Sequence, residues 1–272
     1  MTSQLLKVEG AGNDFLLGTG AWADRLSRDS ELVVRLCRRR RGIGADGALA
    51  ITATGKDRLR LVYHNADGSP ASFCGNGTRC AARAGVELLG LPRRLVVETA
   101  WTAVPAEIDG RMVRLELPAI QAPPQEVEIS VADCSRRGWW LLVGVPHLVV
   151  PMDDVDELRL EVEGPPLRRH EIFGAAGVNV NFTTPGENGE LLLRTYERGV
   201  ERETLCCGSG VVAAAVVEMA AGGSRPMTVR ARSGDPLLVE APQGPQSGPI
   251  FLTGPTRFIA CVEPTEDRFT EG

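Results

Sequence analysis

Two short segments of this chain place a cysteine directly before a glycine-punctuated helix start. The first reads Cys74-Gly75-Asn76-Gly77-Thr78 and continues Arg79-Cys80-Ala81-Ala82. The second reads Cys207-Gly208-Ser209-Gly210-Val211 and continues Val212-Ala213-Ala214-Ala215. Glycine lets the backbone turn tightly and lets a ligand approach the main chain. The helix that follows leaves its first N–H groups unpaired and partly positive. Such an end can bind a carboxylate, and it can draw a nearby thiol toward thiolate. Two such ends, one from each half of the chain, are expected to face each other across a cleft. They would grip one carboxylate and set one sulfur on each side of the carbon that bears it. That suits inversion of an amino-acid α-carbon: a base removes the proton from one face and an acid returns one to the other. The two sulfurs must then start in opposite protonation states.

A single Cys-Gly pair before an apolar helix is as readily a small buried residue and a helix start. Its recurrence in matched contexts favours the chemical reading. Cys206 competes with Cys207, but the spacing to Gly208 and Gly210 selects Cys207, as the spacing to Gly75 and Gly77 selects Cys74. Cys37, Cys80, Cys134 and Cys261 read as packing residues. No cysteine or histidine spacing suggests a zinc site, and the chain has only three histidines.

The elements that must hold these motifs are strands and helices in mixture. Candidate strands are Leu59–His64, Leu95–Thr99, Met112–Leu117, Trp139–Val143, Leu191–Tyr196, Met227–Ala231, Leu237–Glu240 and Phe258–Val262. Candidate helices are Glu31–Arg40, with Leu32, Val33, Leu36 and Cys37 on one stripe, a second from Gly77 to Leu89 stopped by Gly90, and a third from Gly210 to Ala221 stopped by Gly222 and Gly223. The third is apolar almost all round (Val211 to Val217) and needs burial on every side. An α+β fold with strands wrapped around a central helix supplies that burial. Pro118 and Pro123-Pro124 offer a boundary near the middle, and the tract from Ala241 to Pro249 reads as a surface loop.

With 272 residues the chain is long enough for two domains. A net charge of −5 argues against a nucleic-acid-binding face. The basic run Arg38-Arg39-Arg40-Arg41 reads as the exposed end of a helix stopped at Gly42. The start of the chain shows no signal pattern, and the most apolar segment, Trp139–Met152, is interrupted by Pro146 and His147. A cytoplasmic protein with free thiols is the expectation. The partner expected is a small amino-acid substrate, with no nucleic acid and no membrane. The oligomeric state stays open, a homodimer included.

The two cysteine blocks lie in a longer series: Gly12-Asn13-Asp14-Phe15, Gly42-Ile43-Gly44-Ala45-Asp46-Gly47, Asn65-Ala66-Asp67-Gly68-Ser69, Pro146-His147, Val178-Asn179 and Tyr196-Glu197-Arg198-Gly199. In that order, over nearly the whole chain, they resemble the diaminopimelate epimerase family, whose members racemise amino acids with two cysteines and no cofactor. The resemblance implies two pseudo-symmetric α+β domains, each a mostly antiparallel sheet around a central helix. One would take residues 1–117 and about 261–272 and carry Cys74; the other would take 118–260 and carry Cys207. It implies Cys74 and Cys207 as the acid–base pair, with backbone N–H groups of Gly75, Asn76, Gly208 and Ser209 on the reacting carboxylate. Asn13, Asn65, Asn179, Glu197 and Arg198 would contact the amino groups and a second carboxylate. His147 and Glu197 would lie beside the cysteines and help set their protonation. No pyridoxal phosphate and no metal would be needed. The activity implied is conversion of LL- to meso-diaminopimelate, which serves lysine and cell-wall synthesis.

Three positions depart from the family pattern. Val145 stands where the family has an Asn before Pro-His, and a valine side chain makes no hydrogen bond. The block after Gly199 is one residue longer, with Glu201-Arg202 in place of one small residue. Glu9 stands where His is usual, while Gly47 is a common variant. The epimerisation residues are intact, and the changes fall on the distal part of a substrate pocket. Val145 therefore favours a second reading, a racemase of another amino acid. A non-catalytic amino-acid-binding protein and a thiol redox protein are further alternatives.

Overall fold

The computed structural model describes residues 3–131, 134–223 and 226–265. The chain divides into two compact units. One runs to Leu115 and resumes at Pro255; the other is Glu116–Gly254. The stretch 266–272, which the sequence reading assigns to the first half, lies outside the described residues, as does the side chain of Cys134.

In the first unit, β1 (Gln4–Gly10) pairs antiparallel with β2 (Asn13–Thr19), and β2 runs parallel to β3 (Gly47–Ala53). β3 is antiparallel to β4 (Arg58–Asn65), which holds β5 (Pro70–Ala71) antiparallel and β6 (Arg94–Glu98) parallel. β6, β7 (Ala103–Asp109) and β8 (Met112–Leu117) form an antiparallel meander, and β18 (Arg257–Cys261) lies antiparallel to β1. Helices α1 (Ala21–Arg28) and α2 (Ser30–Cys37) connect β2 to β3; α3 (Gly75–Leu89) connects β5 to β6.

The second unit repeats this plan. β10 (Cys134–Val143) pairs antiparallel with β11 (Val145–Pro151), which runs parallel to β12 (Asn179–Pro185). β12 is antiparallel to β13 (Leu191–Glu197), which holds β14 (Arg202–Thr204) antiparallel and β15 (Met227–Ala231) parallel. β15, β16 (Pro236–Glu240) and β17 (Ile250–Pro255) form the meander. β9 (Gln125–Val131) lies beside β10 as β18 lies beside β1. Helix α4 (Leu160–Arg168) sits between β11 and β12, and α5 (Gly208–Ala220) between β14 and β15. Strand for strand, β10 to β17 repeat β1 to β8. Each sheet is antiparallel except for two parallel joins at matching places.

The central helices are α3 and α5. Helix α3 touches β1, β2, β3, β4, β6 and β7, and α5 touches their six counterparts. In α5 the residues from Val211 to Val217 are all buried, as an all-round apolar helix requires. Helix α3 is buried along Gly75–Ala82, then ends at Gly90 with φ +70°. Outside each sheet the flanking helices close a second core. In the first unit Leu26, Leu32, Val33 and Leu36 pack on Leu5, Leu16 and Ala48. In the second, Leu160 and Leu167 pack on Leu148, Val180 and Phe182.

Several expectations need correction. Helix α2 ends at Cys37, so Arg38–Arg41 form the exposed turn beyond it rather than its last turn. Its start is set by Asp29, whose side chain accepts from Leu32 N–H at 2.8 Å. Cys261 is exposed on β18, so it is not a packing residue, whereas Cys37 and Cys80 are buried. Helices α1 and α4 were not expected. Helix α1 starts after Gly20 without a side-chain cap, and α4 contains Pro165 and Pro166, so neither carries an ordinary helix signature.

Candidate active site

Each cysteine motif sits at the same station of its unit: Cys74 is the N-cap of α3 and Cys207 the N-cap of α5. Both have extended backbone there, with φ −145° and −104°. Gly75, Asn76, Gly208 and Ser209 are the first helical residues, so their N–H groups lie at the partly positive ends of α3 and α5. The cap position also separates the neighbouring thiols, because Cys206 lies one residue before the cap.

In the first unit a tight turn at Ala11 and Gly12, both with positive φ, delivers Asn13 to the head of β2. The carboxylate of Glu9 holds this turn by accepting from Gly12 N–H at 2.8 Å, and it pairs with Arg257. Cys74 Sγ lies 3.6 Å from Asn13 Oδ1 and accepts from Gly77 N–H at 3.5 Å. Asn76 Nδ2 also reaches Asn13 Oδ1, at 3.5 Å, while Asn76 Oδ1 accepts from Arg79 Nη2 at 2.7 Å. Asn13 Nδ2 donates to Asp46 Oδ2 at 2.8 Å. Cys74 therefore faces a ladder of oriented amides with a fully buried guanidinium at one end and a carboxylate at the other. Arg39 bridges Asp46 and Asp14, and Lys7 pairs with Asp14 and reaches Gly44 O. These cations hold the Asp14 carboxyl below its usual value although burial works the other way. Asn65 closes β4 and stands apart from this ladder: its amide accepts from Tyr63 Oη at 2.9 Å and donates to Ser69 Oγ at 3.0 Å.

In the second unit the groups are more deeply buried. His147 is fully buried on β11, and Asn179 lies beside it on β12. Asn179 Oδ1 accepts from Arg198 N–H at 2.9 Å and its Nδ2 reaches Pro146 O at 3.3 Å, so it ties the end of β13 to β11. That places Glu197 and Arg198 together, half-buried, at the end of β13. Cys207 is 7% exposed and its Sγ lies 3.5 Å from Ser209 Oγ. Burial pushes the Cys207 thiol well above its ordinary value, and the negative charge of Glu197 pushes it further. The Ser209 hydroxyl and the Gly210 N–H offset only part of this. Burial, then the charge of Arg198, pushes His147 down to about 3, so its ring is neutral.

The departures from the family pattern also have places. Val145 heads β11 as Asn13 heads β2, since Val143 pairs with Val145 across Gly144 and Gly10 pairs with Asn13 across Ala11 and Gly12. The additional residue after Gly199 leaves Glu201 at φ +57°, with its carboxylate on Arg168 and Arg169 and its carbonyl accepting from Tyr196 Oη at 2.7 Å. The insertion is thus anchored to α4.

Three side chains in this constellation escaped the sequence reading: Arg79, Asn181 and Thr195. Asn181 carried a usable signal. It lies two residues from Asn179 in the otherwise apolar start of β12, so both amides face one side of the sheet. Arg79 and Thr195 carried none beyond ordinary helix and strand composition.

The diaminopimelate epimerase family model matches residues 5–111 and 139–259. The chain belongs to the diaminopimelate epimerase family. It is 35% identical to the diaminopimelate epimerase of Hydrogenobaculum sp. over 94% of this chain and 96% of that one. It is 34% identical to that of Aquifex aeolicus over 91% and 92%. A hydroxyproline epimerase of Agrobacterium vitis, solved with bound trans-4-hydroxy-L-proline, shares the fold. Its TM-score is 0.70 at 18% identity, over 96% of this chain and 91% of that one. The protein is an isomerase of the epimerase class, built on the two-domain fold of this family.

Proposed function

We propose that this epimerase inverts an amino-acid α-carbon with Cys74 and Cys207 as its acid–base pair, and that its substrate is LL-diaminopimelate, converted to the meso form. The observation that carries the reading is the repeated station: a cysteine N-cap at the start of the central helix, in topologically matched places of both units. The names of the relatives at 34–35% identity support the substrate.

In this reading the N–H groups of Gly75, Asn76, Gly208 and Ser209 hold the reacting carboxylate and take up the charge that flows into it when the α-proton leaves. Burial and Glu197 keep Cys207 protonated, so Cys207 starts as the acid and Cys74 as the base; the reverse reaction exchanges the roles. Asn13, Asn65, Asn179, Glu197 and Arg198 bind the amino groups and the distal carboxylate, the guanidinium of Arg198 being the group suited to a carboxylate. Glu197 sets the protonation of Cys207, and His147 supports the pair as a neutral ring. The setting is a cytoplasm that keeps both thiols reduced.

A second reading has one specific observation behind it. Val145 removes a side-chain amide at the station where the first unit has Asn13, which favours a substrate with a less polar distal group. The discriminating experiment is α-proton exchange in D₂O, followed by NMR with reduced protein. Exchange with LL-diaminopimelate alone is the expected result. Exchange with another amino acid from a panel selects the second reading, and exchange with none overturns the two-cysteine mechanism for this chain.

A further inference from the structure

Asn181 has no role in the proposed chemistry, yet it is fully buried on β12 and spends every polar atom there. Its Nδ2 lies 3.1 Å from Leu148 O, 3.4 Å from Asn179 O and 3.1 Å from His147 Nδ1. Its Oδ1 accepts from Thr195 Oγ1 at 3.0 Å. Carbonyl oxygens only accept, so the end of the amide that meets two of them must be the NH₂ group. The same NH₂ meets His147 Nδ1, which must therefore accept. A neutral imidazole that accepts at Nδ1 carries its proton on Nε2. That Nε2 is buried without a hydrogen-bond partner among the described residues. A buried donor left unpaired is costly, and it is tolerated where a ligand or reaction supplies the acceptor.

The first unit shows that packing does not call for this arrangement. By strand register, His147 pairs with Asn179 on β12 as Phe15 pairs with Gly47 on β3. Two residues on, Asn181 therefore matches Leu49, and Thr195 matches Tyr63. The central helix meets these stations in both units: a Cβ on Gly77 would touch Leu49 and Phe15, and one on Gly210 would run into Asn181 Oδ1. One half thus fills the station with two apolar side chains, and the other with a hydrogen-bonded amide and imidazole.

We infer that Asn181 is a positioning residue: it locks His147 in the Nε2–H tautomer, so that His147 serves the reaction as a fixed hydrogen-bond donor to developing negative charge and transfers no proton itself. This rests on the reading of the second unit as half of an epimerase site.

The test begins with the wild-type protein labelled with ¹⁵N-histidine, where three histidines give a short spectrum, and His147→Gln identifies the His147 signals by their loss. The expected spectrum has His147 with a bare Nδ1 and a protonated Nε2, unchanged across roughly pH 5.5 to 9. Asn181→Leu, which installs the residue of the matching station, is expected to release the tautomer. It should also lower kcat about 10- to 100-fold with KM held within about threefold. A glutamine side chain can place an N–H where Nε2 stood and an asparagine cannot, so His147→Gln should retain at least about tenfold more kcat than His147→Asn. A wild-type His147 protonated on Nδ1, or one that titrates near neutrality, overturns the inference. So does an Asn181→Leu protein with the tautomer intact, or a His147→Gln protein as inactive as His147→Asn. If Asn181→Leu fails to fold, the wild-type spectrum and the two His147 variants decide. Full activity in Cys207→Ala would sink the two-cysteine reading and leave the tautomer result standing, so the two failures are distinguishable.

Discussion

Where the first half of the molecule packs Phe15 and Leu49 against Gly77, the second sets Asn181, bonded to His147, against Gly210. The substitution of polar for apolar does not extend to the ends of the neighbouring strands, where Asn65 closes β4 and Glu197 closes β13 at the matching place. At the heads of β2 and β11 it reverses, Asn13 in the first half against Val145 in the second. The backbone plan is common to both halves, so apolar contacts suffice to build it. Buried polar groups cost free energy unless they are bonded, and where they replace a working apolar pair they mark chemistry. The two thiols sit differently as a result. Cys74 is half-buried against a ladder of amides anchored by Arg79 and Asp46, whereas Cys207 is buried beside Glu197, and both burial and that carboxylate push its thiol above the ordinary value.

The strongest way to break this comparison is to remove the cysteines singly. Cys74→Ala and Cys207→Ala should each lower kcat by at least about a thousandfold, because in the proposed mechanism neither half can supply the other's proton transfer. Cys206→Ala should stay within about threefold of wild type, since Cys206 precedes the helix cap. Steady-state racemisation assays check all three. Loss with Cys206→Ala and retention with Cys207→Ala would show that the repeat had been matched one residue out.

A smaller effect separates the halves by pH. His147 is held neutral to about pH 3 in the folded protein, against an ordinary value of 6.5. Between these two values the unfolded chain binds the proton and the folded one does not. Stability from this group is therefore complete above pH 6.5 and falls as pH is lowered toward 3. The slope is about 1.4 kcal/mol per pH unit. Phe15, at the matching station, contributes no such term. Denaturant melts of wild type and His147→Gln between roughly pH 6.5 and 4.5 should diverge by about 2–3 kcal/mol, with the wild type losing more. Parallel curves would mean that His147 takes up its proton in the folded state.

The glycines before each central helix sharpen the same contrast in packing. A Cβ on Gly77 meets the end of the Leu49 side chain at 3.1 Å, which a flexible leucine can yield. A Cβ on Gly210 collides with Asn181 Oδ1, whose amide is pinned by four hydrogen bonds. Gly210→Ala should therefore cost about 2 kcal/mol and Gly77→Ala less than about 1 kcal/mol in thermal or denaturant unfolding. Equal costs would mean that Asn181 moves as freely as Leu49.

How much of this was legible in the sequence depends on how local each feature is. Helix α5 was legible because its seven residues from Val211 to Val217 are apolar with no polar face, and the cysteine motifs because each is a contiguous block. Strands β4, β6, β8, β13, β15 and β16 were legible from alternation and flanking turn residues. Strands β1, β2, β11 and β12 were not, because they are buried on most positions and show little alternation. Helix α4 was hidden by its two prolines. Within the site, Cys74 and Cys207 stood out by residue type and spacing, and the Glu197-Arg198 pair only through the family resemblance. The bond between Asn181 and His147 spans 34 residues and exists only because β11 and β12 run parallel in one register. No short-range pattern encodes that. The match between Asn13 and Val145 likewise became visible only when the hairpins β1–β2 and β10–β11 were set side by side.

That last match supports the finest prediction. Val145→Asn restores at the head of β11 the amide that Asn13 supplies at the head of β2. If the distal group of the substrate is an ammonium and a carboxylate, the new amide gives it one more hydrogen bond, worth about 1 kcal/mol. The expected result is a five- to tenfold rise in kcat/KM for LL-diaminopimelate, about the factor that 1 kcal/mol yields, carried by KM. kcat should hold, since Val145 does not touch either sulfur's proton transfer in this reading. A fall in kcat/KM for diaminopimelate, with a larger fall for an amino acid bearing an apolar side chain, would mean that Val145 faces an apolar distal group. The two halves would then differ at this station because the two ends of the natural substrate differ.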